Sequence, residues 1–174
     1  MWASFLTIQE VNSLESDHFI KIFGNVVEHC LATGIGILKH RPFASVEDIV
    51  KAVEEYLSGL KLQDKEKVLQ LYPDSVSKLA SFSNSMLEFN THQKIVNNTL
   101  SSLRFEEKKR LKQLCRRYKE KNEFPFIFCS KEEDIEKICI EIELRMKNNK
   151  EKEIEVAMAE VKKISRQRIY EIVK

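Results

Sequence analysis

Arg168 is the residue best placed to do chemistry. Ile154, Ala157, Val161, Ile164 and Ile172 recur at helical spacing, and Arg168 falls in line with that apolar stripe. A guanidinium on an apolar face must be paired, solvated or drawn out to water, because burying it bare is costly. Two chemistries meet that need. A structural salt bridge to one of the many glutamates is the reading the residues alone favour; binding of an anionic ligand is the other. The remaining reactive residue types offer less. His18, His29, His40 and His92 show no metal-ligand spacing and read as surface or packing residues, so no metal is expected. Cys30, Cys115, Cys129 and Cys139 form no CxxC pair, which suggests reduced thiols, with Cys115 and Cys139 at helix-core positions. Gly34-Ile35-Gly36 lacks the other glycines of a phosphate loop and reads as a turn. The Lys/Glu run from Lys147 to Glu155 reads as a solvated helix start or turn.

Helices must carry these residues. With only four glycines and three prolines, and apolar residues three and four apart, strand alternation is not evident. Phe19, Ile22, Phe23, Val26, Val27 and Cys30 mark one helical face, ending near Gly34 and Gly36. Ser45 caps a second helix near Asp48 that runs through Ile49, Val53, Leu57 and Leu60, with Gly59 weakening its last turn. Lys65 to Leu71 forms a short helix that stops at Tyr72, because a residue preceding proline is pushed out of helical geometry. Ser75 to Asn90, rich in serine and asparagine, reads as a long connection or irregular helical turns. Leu111, Leu114, Cys115 and Tyr118 give another helix with Glu107 near its start, where acid favours the dipole. Phe124-Pro125-Phe126-Ile127-Phe128 is an apolar run around a proline and reads as an extended segment through the core. Ile135, Ile138, Cys139, Ile142 and Met146 form a further helical stripe.

The chain's 174 residues, 43% of them hydrophobic, suffice for one core, and length gives no reason for a second domain. Lysine plus arginine number 29 against 27 acids, well mixed, so the net +2 gives no electrostatic case for nucleic acid or an anionic membrane. No apolar window is long enough for a bilayer, and the start has no basic region before a long apolar stretch, so an intracellular soluble protein is expected. Ile172-Val173-Lys174 is not a peroxisomal address of the Ser-Lys-Leu kind, which leaves cytoplasm and peroxisome both open. Without a secretory signal, the Asn97-Asn98-Thr99 sequon carries little weight.

Read in order, Phe23-Gly24-Asn25-Val26-Val27-Glu28-His29, Arg41-Pro42-Phe43, Tyr118 followed by Phe124-Pro125-Phe126-Ile127, and Val161-Lys162-Lys163-Ile164 with Arg168-Ile169 resemble the decarboxylases of 2-oxo-4-hydroxy-4-carboxy-5-ureidoimidazoline (OHCU). The resemblance runs from about Val11 to Val173. Such enzymes complete urate oxidation to allantoin. The resemblance implies an all-α fold, one single-domain bundle of about eight helices over residues 1–174, and a two-fold homodimer. It also implies cofactor-free chemistry: loss of the carboxylate leaves electron density that a neighbouring imine accepts, and the protein orients the ring, stabilises charge and handles protons. The implied partner is a small anionic ureide.

Carried over by position, Pro73 survives, Thr91 keeps the hydroxyl of the family's serine, and His92 and Gln93 stand beside it. Phe126, Ile127, Phe128, Cys129 and Ser130 occupy the backbone stretch that holds the heterocycle, and Arg168 matches the active-site arginine, which turns its reading toward ligand. Three positions depart. Tyr72 stands in place of the proton-handling histidine; a phenol titrates near pH ~10 rather than ~6.5, so it stays protonated at neutral pH and is poorly suited as a base. Lys94 replaces a glutamate, reversing a charge whose interaction at about 4 Å and an effective dielectric of about 20 is worth roughly 4 kcal/mol. Ile95 replaces a glutamine and removes an amide, typically about 1 to 3 kcal/mol of lost pairing. An alternative register would put Ser85 and Glu88 at the site, with Phe89 in place of the glutamine, but requires offsetting gaps in otherwise gapless sequence. Leu31 stands where the family's proline follows the first of these motifs.

Overall fold

A computed structural model of the protein describes residues 5–74, 97–129 and 134–174, and of residues 97–104 the helical backbone alone. Among the described residues there are eight α-helices and one isolated bridge, Leu6 with Val173, so the all-α expectation holds. They are α1 (Ile8–Ser13), α2 (Ser16–Gly24), α3 (Leu31–Leu38), α4 (Val46–Ser58), α5 (Leu62–Gln70), α6 (Asn97–Asn122), α7 (Ile135–Arg145) and α8 (Lys150–Ile172). Contacts gather in two compact units, Met1–Leu71 with Ile154–Lys174, and Tyr72–Glu153. No described helix is long and apolar enough to cross a membrane.

In the first unit, Val11, Phe19, Phe23, Val26, Val27, Ile37, Ile49, Val53 and Leu57 are fully buried, each contributing about 1.5–3 kcal/mol of apolar transfer. A capping box opens α1: the Thr7 hydroxyl accepts from Glu10 N at 3.2 Å, and Glu10 accepts from Thr7 N at 2.8 Å. The end of α1 is held by Arg41, which donates to the Leu14 carbonyl at 2.6 Å and stacks 4.9 Å from the Phe19 ring. Beside it Asn12 and the Phe43 backbone bond reciprocally at 2.9 and 2.8 Å. Arg41-Pro42-Phe43 is therefore a clasp between α1 and the segment leading into α4.

The face from Phe19 to Cys30 is not one helix. α2 stops at Gly24, and a turn follows in which Cys30 N donates to the Gly24 and Val27 carbonyls, both at 3.0 Å, with His29 at a φ of 47°. Leu31 is then the first residue of α3, where a proline would also fit because the first amides of a helix need no intrahelical acceptor. Gly34 and Gly36 lie inside α3 rather than in a turn. A Cβ on Gly34 would come within 2.7 Å of the Ile20 carbonyl oxygen, and one on Gly36 within 2.4 Å of the Tyr56 ring. The glycines serve close approach of helices, which spacing did not reveal.

Ser45 caps α4 as expected, its hydroxyl accepting from Asp48 N at 3.2 Å, and Gly59 ends it. α5 starts a turn earlier than Lys65 and leaves Tyr72 outside the helix. The part of α8 in this unit is tied to α4 by Arg166, which donates twice to Glu47 at 3.0 Å, by Tyr170 to the same carboxylate at 2.6 Å, and by Lys162 to the Ser58 hydroxyl at 2.7 Å.

In the second unit α6 begins at Asn97, well before Leu111, so Glu107 lies within the helix instead of at its positive end. The dipole role expected of Glu107 is lost accordingly. Leu111, Leu114, Cys115 and Tyr118 are buried. Beyond Asn122, Glu123 takes a φ of 66° and the helix breaks. Phe124–Cys129 is non-helical, with Phe124, Phe126 and Ile127 buried, so the apolar run lies in the core as expected. Asp134 caps α7 by accepting from Glu136 N at 3.1 Å. Ile138, Cys139 and Ile142 are buried on its inner face. Burial pushes the Cys115 thiol up to about 12 and the Cys139 thiol upward too, in keeping with core packing. The connection between Ser75 and Asn90 lies outside the described residues.

Candidate functional site

Within the second unit, the buried aromatic run is organised around a charge. Arg145 is 3% exposed and spends its fork on three partners: Nε donates to Glu153 Oε1 at 2.6 Å, one terminal nitrogen to the Ile127 carbonyl at 2.7 Å, and the other to the Tyr118 hydroxyl at 3.3 Å. Tyr118 in turn donates to Glu153 Oε1 at 2.5 Å, and Asn148 donates to the second oxygen at 2.9 Å. Glu153 is fully buried. Desolvating two ions is repaid only when geometry and additional hydrogen bonds are complete, and here both oxygens and three guanidinium nitrogens are engaged. Burial foremost, then the bond to Glu153, pushes the Tyr118 phenol far above its ordinary value, against the pull of Arg145; it stays a hydroxyl.

The guanidinium also lies over rings, 4.4 Å from the centroid of Phe126 and 5.7 Å from that of Tyr118. Tyr118 meets Phe126 and Phe124 edge-on at 5.2 and 5.9 Å, and Phe128 follows 5.9 Å from Phe126. Backbone from Phe126 to Phe128 is thus fixed by the packing of the two rings and by the grip on the Ile127 carbonyl. Among the described residues, nothing accepts a hydrogen bond from the N–H of Phe126, Ile127 or Phe128.

The sequence-assigned residues fall as follows. Tyr72 is buried at 8% exposure and begins the second unit; Pro73 after it is exposed, and Asp74 accepts from Lys119 at 3.0 Å. Phe126 and Ile127 are buried and Phe128 and Cys129 half-buried in the same unit. Arg168 belongs to the first unit. It donates to Glu28 at 2.8 Å and to the Asn25 carbonyl at 3.2 Å, and its side chain keeps 35% of its exposure. The salt bridge that the residues alone favoured is therefore present, made to the Phe23–His29 motif, with His29 3.3 Å from the same carboxylate. Thr91, His92, Gln93, Lys94, Ile95 and Ser130, and the alternative pair Ser85 and Glu88, lie outside the described residues. An open groove of about 660 Å³ in the first unit is lined by Lys51, Glu54, Glu55, Ser58, Gly59 and Lys162, none of them an assigned site residue. Among the described residues, no group of three His, Cys, Asp or Glu could hold a metal.

Sequence reasoning passed over Arg145 and Glu153. Glu153 sits in the Lys147–Glu155 run, whose charges suggest solvent, yet it is buried because helical spacing places it one turn before Ala157 on the apolar face of α8. Arg145 follows Ile138 and Ile142 in the same way on α7. Like Arg168, both are charges on an apolar helical stripe, and two opposite charges on the apolar faces of consecutive helices are a signal for a buried pair.

The sequence model of the OHCU decarboxylase family matches residues 12–170. The 2-oxo-4-hydroxy-4-carboxy-5-ureidoimidazoline decarboxylase of Xenopus laevis is 32% identical over 167 residues, which cover 96% of this chain and 94% of that protein. The protein of the same name from Amia calva is 28% identical over 168 residues, covering 97% and 95%. The crystal structure of (S)-allantoin synthase shares the fold with a TM-score of 0.74 at 17% identity, over 97% of this chain and 54% of that one, so this chain spans about half of its length. The chain belongs to the OHCU decarboxylase family.

Proposed function

We propose that the protein recognises an anionic ureide of the OHCU and allantoin type, as a lyase of urate degradation whose decarboxylation is greatly reduced. The observation that carries this is that Tyr72, Lys94 and Ile95 stand at the positions the resemblance assigns to the family's histidine, glutamate and glutamine. Decarboxylation breaks the bond between the ring carbon and its carboxylate, sends the electron pair into the neighbouring imine, releases carbon dioxide and needs a proton delivered to the ring. A neutral phenol at Tyr72 can donate a hydrogen bond but is a poor shuttle for that proton. Two cations assigned to the site, Lys94 and Arg168, favour the ground-state carboxylate over its departure as neutral carbon dioxide, and such binding does not accelerate the reaction.

Recognition is supported by what is kept. Arg145 holds the Ile127 carbonyl within the Phe126–Cys129 stretch. Arg168 engages Glu28 and Asn25 through its terminal nitrogens, and a guanidinium offers five donors in all. Buried Tyr72 favours a second reading, a non-catalytic relative that binds the ureide without turning it over or acts as a dimeric scaffold. Compartment, cytoplasmic or peroxisomal, and the two-fold homodimer belong to the same proposal.

The test is freshly generated OHCU, followed by the optical activity of its product. The expected result is a rate close to the spontaneous one. Stereospecific allantoin formation far above it, abolished by Arg168→Ala, overturns the reading.

A further inference from the structure

We propose that Arg145 is a positioning residue for ligand recognition: by gripping the Ile127 carbonyl it sets the backbone of Phe126–Cys129, with Glu153 and Tyr118 fixing the fork. The inference rests on the reading above that this backbone contacts the ureide. A salt bridge serving stability alone needs only the Arg145–Glu153 contact. Here one nitrogen of the fork is aimed at a main-chain carbonyl in a non-helical run, at 2.7 Å, and the guanidinium carbon lies over the ring of Phe126, the residue just before it, 4.4 Å from its centroid. The held carbonyl belongs to the Ile127–Phe128 peptide, so its plane and the Phe128 N–H in it are fixed, while the ring anchors Phe126 on the other side of Ile127. The Phe128 N–H in that plane, and the Ile127 N–H one peptide back, for which no acceptor is found among the described residues, are thereby oriented as donors. Tyr118 supplies rigidity from α6, since its hydroxyl both donates to Glu153 and accepts from Arg145.

Arg145→Lys separates positioning from charge. It keeps a cation for Glu153 but loses the planar fork that reaches Ile127. The probe is (S)-allantoin, titrated into full-length isotope-labelled protein. In wild type, binding shifts the Ile127, Phe128 and Cys129 amide signals. In Arg145→Lys, the carbonyl-carbon signal of Ile127 moves toward that of an unbonded carbonyl, the order parameters of residues 126–129 fall from about 0.85 toward about 0.6, and allantoin binds about tenfold more weakly. A Lys variant in which that carbonyl signal and those order parameters stay put overturns the proposal. So does a loosened segment with unchanged affinity, which reduces Arg145 to a structural role. If allantoin leaves the wild-type signals at 126–129 unmoved, the site reading itself fails and takes this proposal with it. Should Arg145→Lys not fold, Tyr118→Phe keeps the ring and the Arg145–Glu153 pair while removing one acceptor from the fork. An affinity about threefold lower, with the same carbonyl signature in smaller measure, is then expected; unchanged affinity overturns the proposal.

Discussion

Glu153 Oε1 accepts from Arg145 Nε at 2.6 Å and from the Tyr118 hydroxyl at 2.5 Å, so a single carboxylate oxygen joins α6, α7 and the first turn of α8 within the second unit. Glu153→Gln leaves the Arg145 charge buried and uncompensated, with an expected loss of about 3–5 kcal/mol in urea denaturation. Arg145→Met with Glu153→Met removes both charges and should lose less than the two single changes added together. Additive losses would mean that the two side chains act independently.

Close approach of α2 and α3 depends on Gly34. Gly34→Ala puts a methyl 2.7 Å from the Ile20 carbonyl oxygen, backbone that cannot move aside cheaply, and should cost about 1–3 kcal/mol. At Gly59 the nearest atom is 3.4 Å away and φ is −79°, so Gly59→Ala should be neutral or stabilise by about 0.4–1 kcal/mol. Equal melting temperatures for the two variants would contradict this packing account.

Burial raises the Cys115 thiol from its ordinary 9.0 to about 12. The folded state thus holds this proton longer than the unfolded chain. Its contribution is intact below about pH 9 and is lost as pH rises toward about 12. Stability measured by urea across that window should fall more steeply in wild type than in Cys115→Ser. Parallel slopes would show that the thiol ionises without penalty in the fold.

Arg168 and Glu28 form a half-exposed pair, and such pairs contribute about 0–1 kcal/mol. Arg168→Ala should therefore change stability by less than about 1 kcal/mol while allantoin affinity, read by calorimetry, falls at least about tenfold. Loss of stability with affinity retained would make Arg168 a structural residue only.

How much of this was legible in the sequence follows from which forces act locally. Helical spacing and the Ser45 cap are short-range, and α4, α7 and the inner face of α8 follow them. The break at Gly24 was missed because the apolar spacing continues through the Asn25–Cys30 turn, and Gly34 and Gly36 look like a turn until Ile20 and Tyr56 are seen against them. At the site, proline placed Tyr72 beyond its helix, and an arginine on an apolar stripe was rightly suspected of a glutamate partner. Which glutamate was not legible, since Glu28 is 140 residues away in sequence. Arg145 and Glu153 were legible by the same rule and went unread because a run of alternating charges resembles solvated surface.

The most direct measurement compares wild type with the Tyr72→His, Lys94→Glu double variant on freshly generated OHCU, following the optical activity of allantoin as it forms. The account predicts a wild-type rate near the spontaneous one and a gain of at least about tenfold on restoring the proton-handling group and the negative charge. A wild-type rate already far above the spontaneous reaction, or a folded double variant with no gain at all, would contradict it.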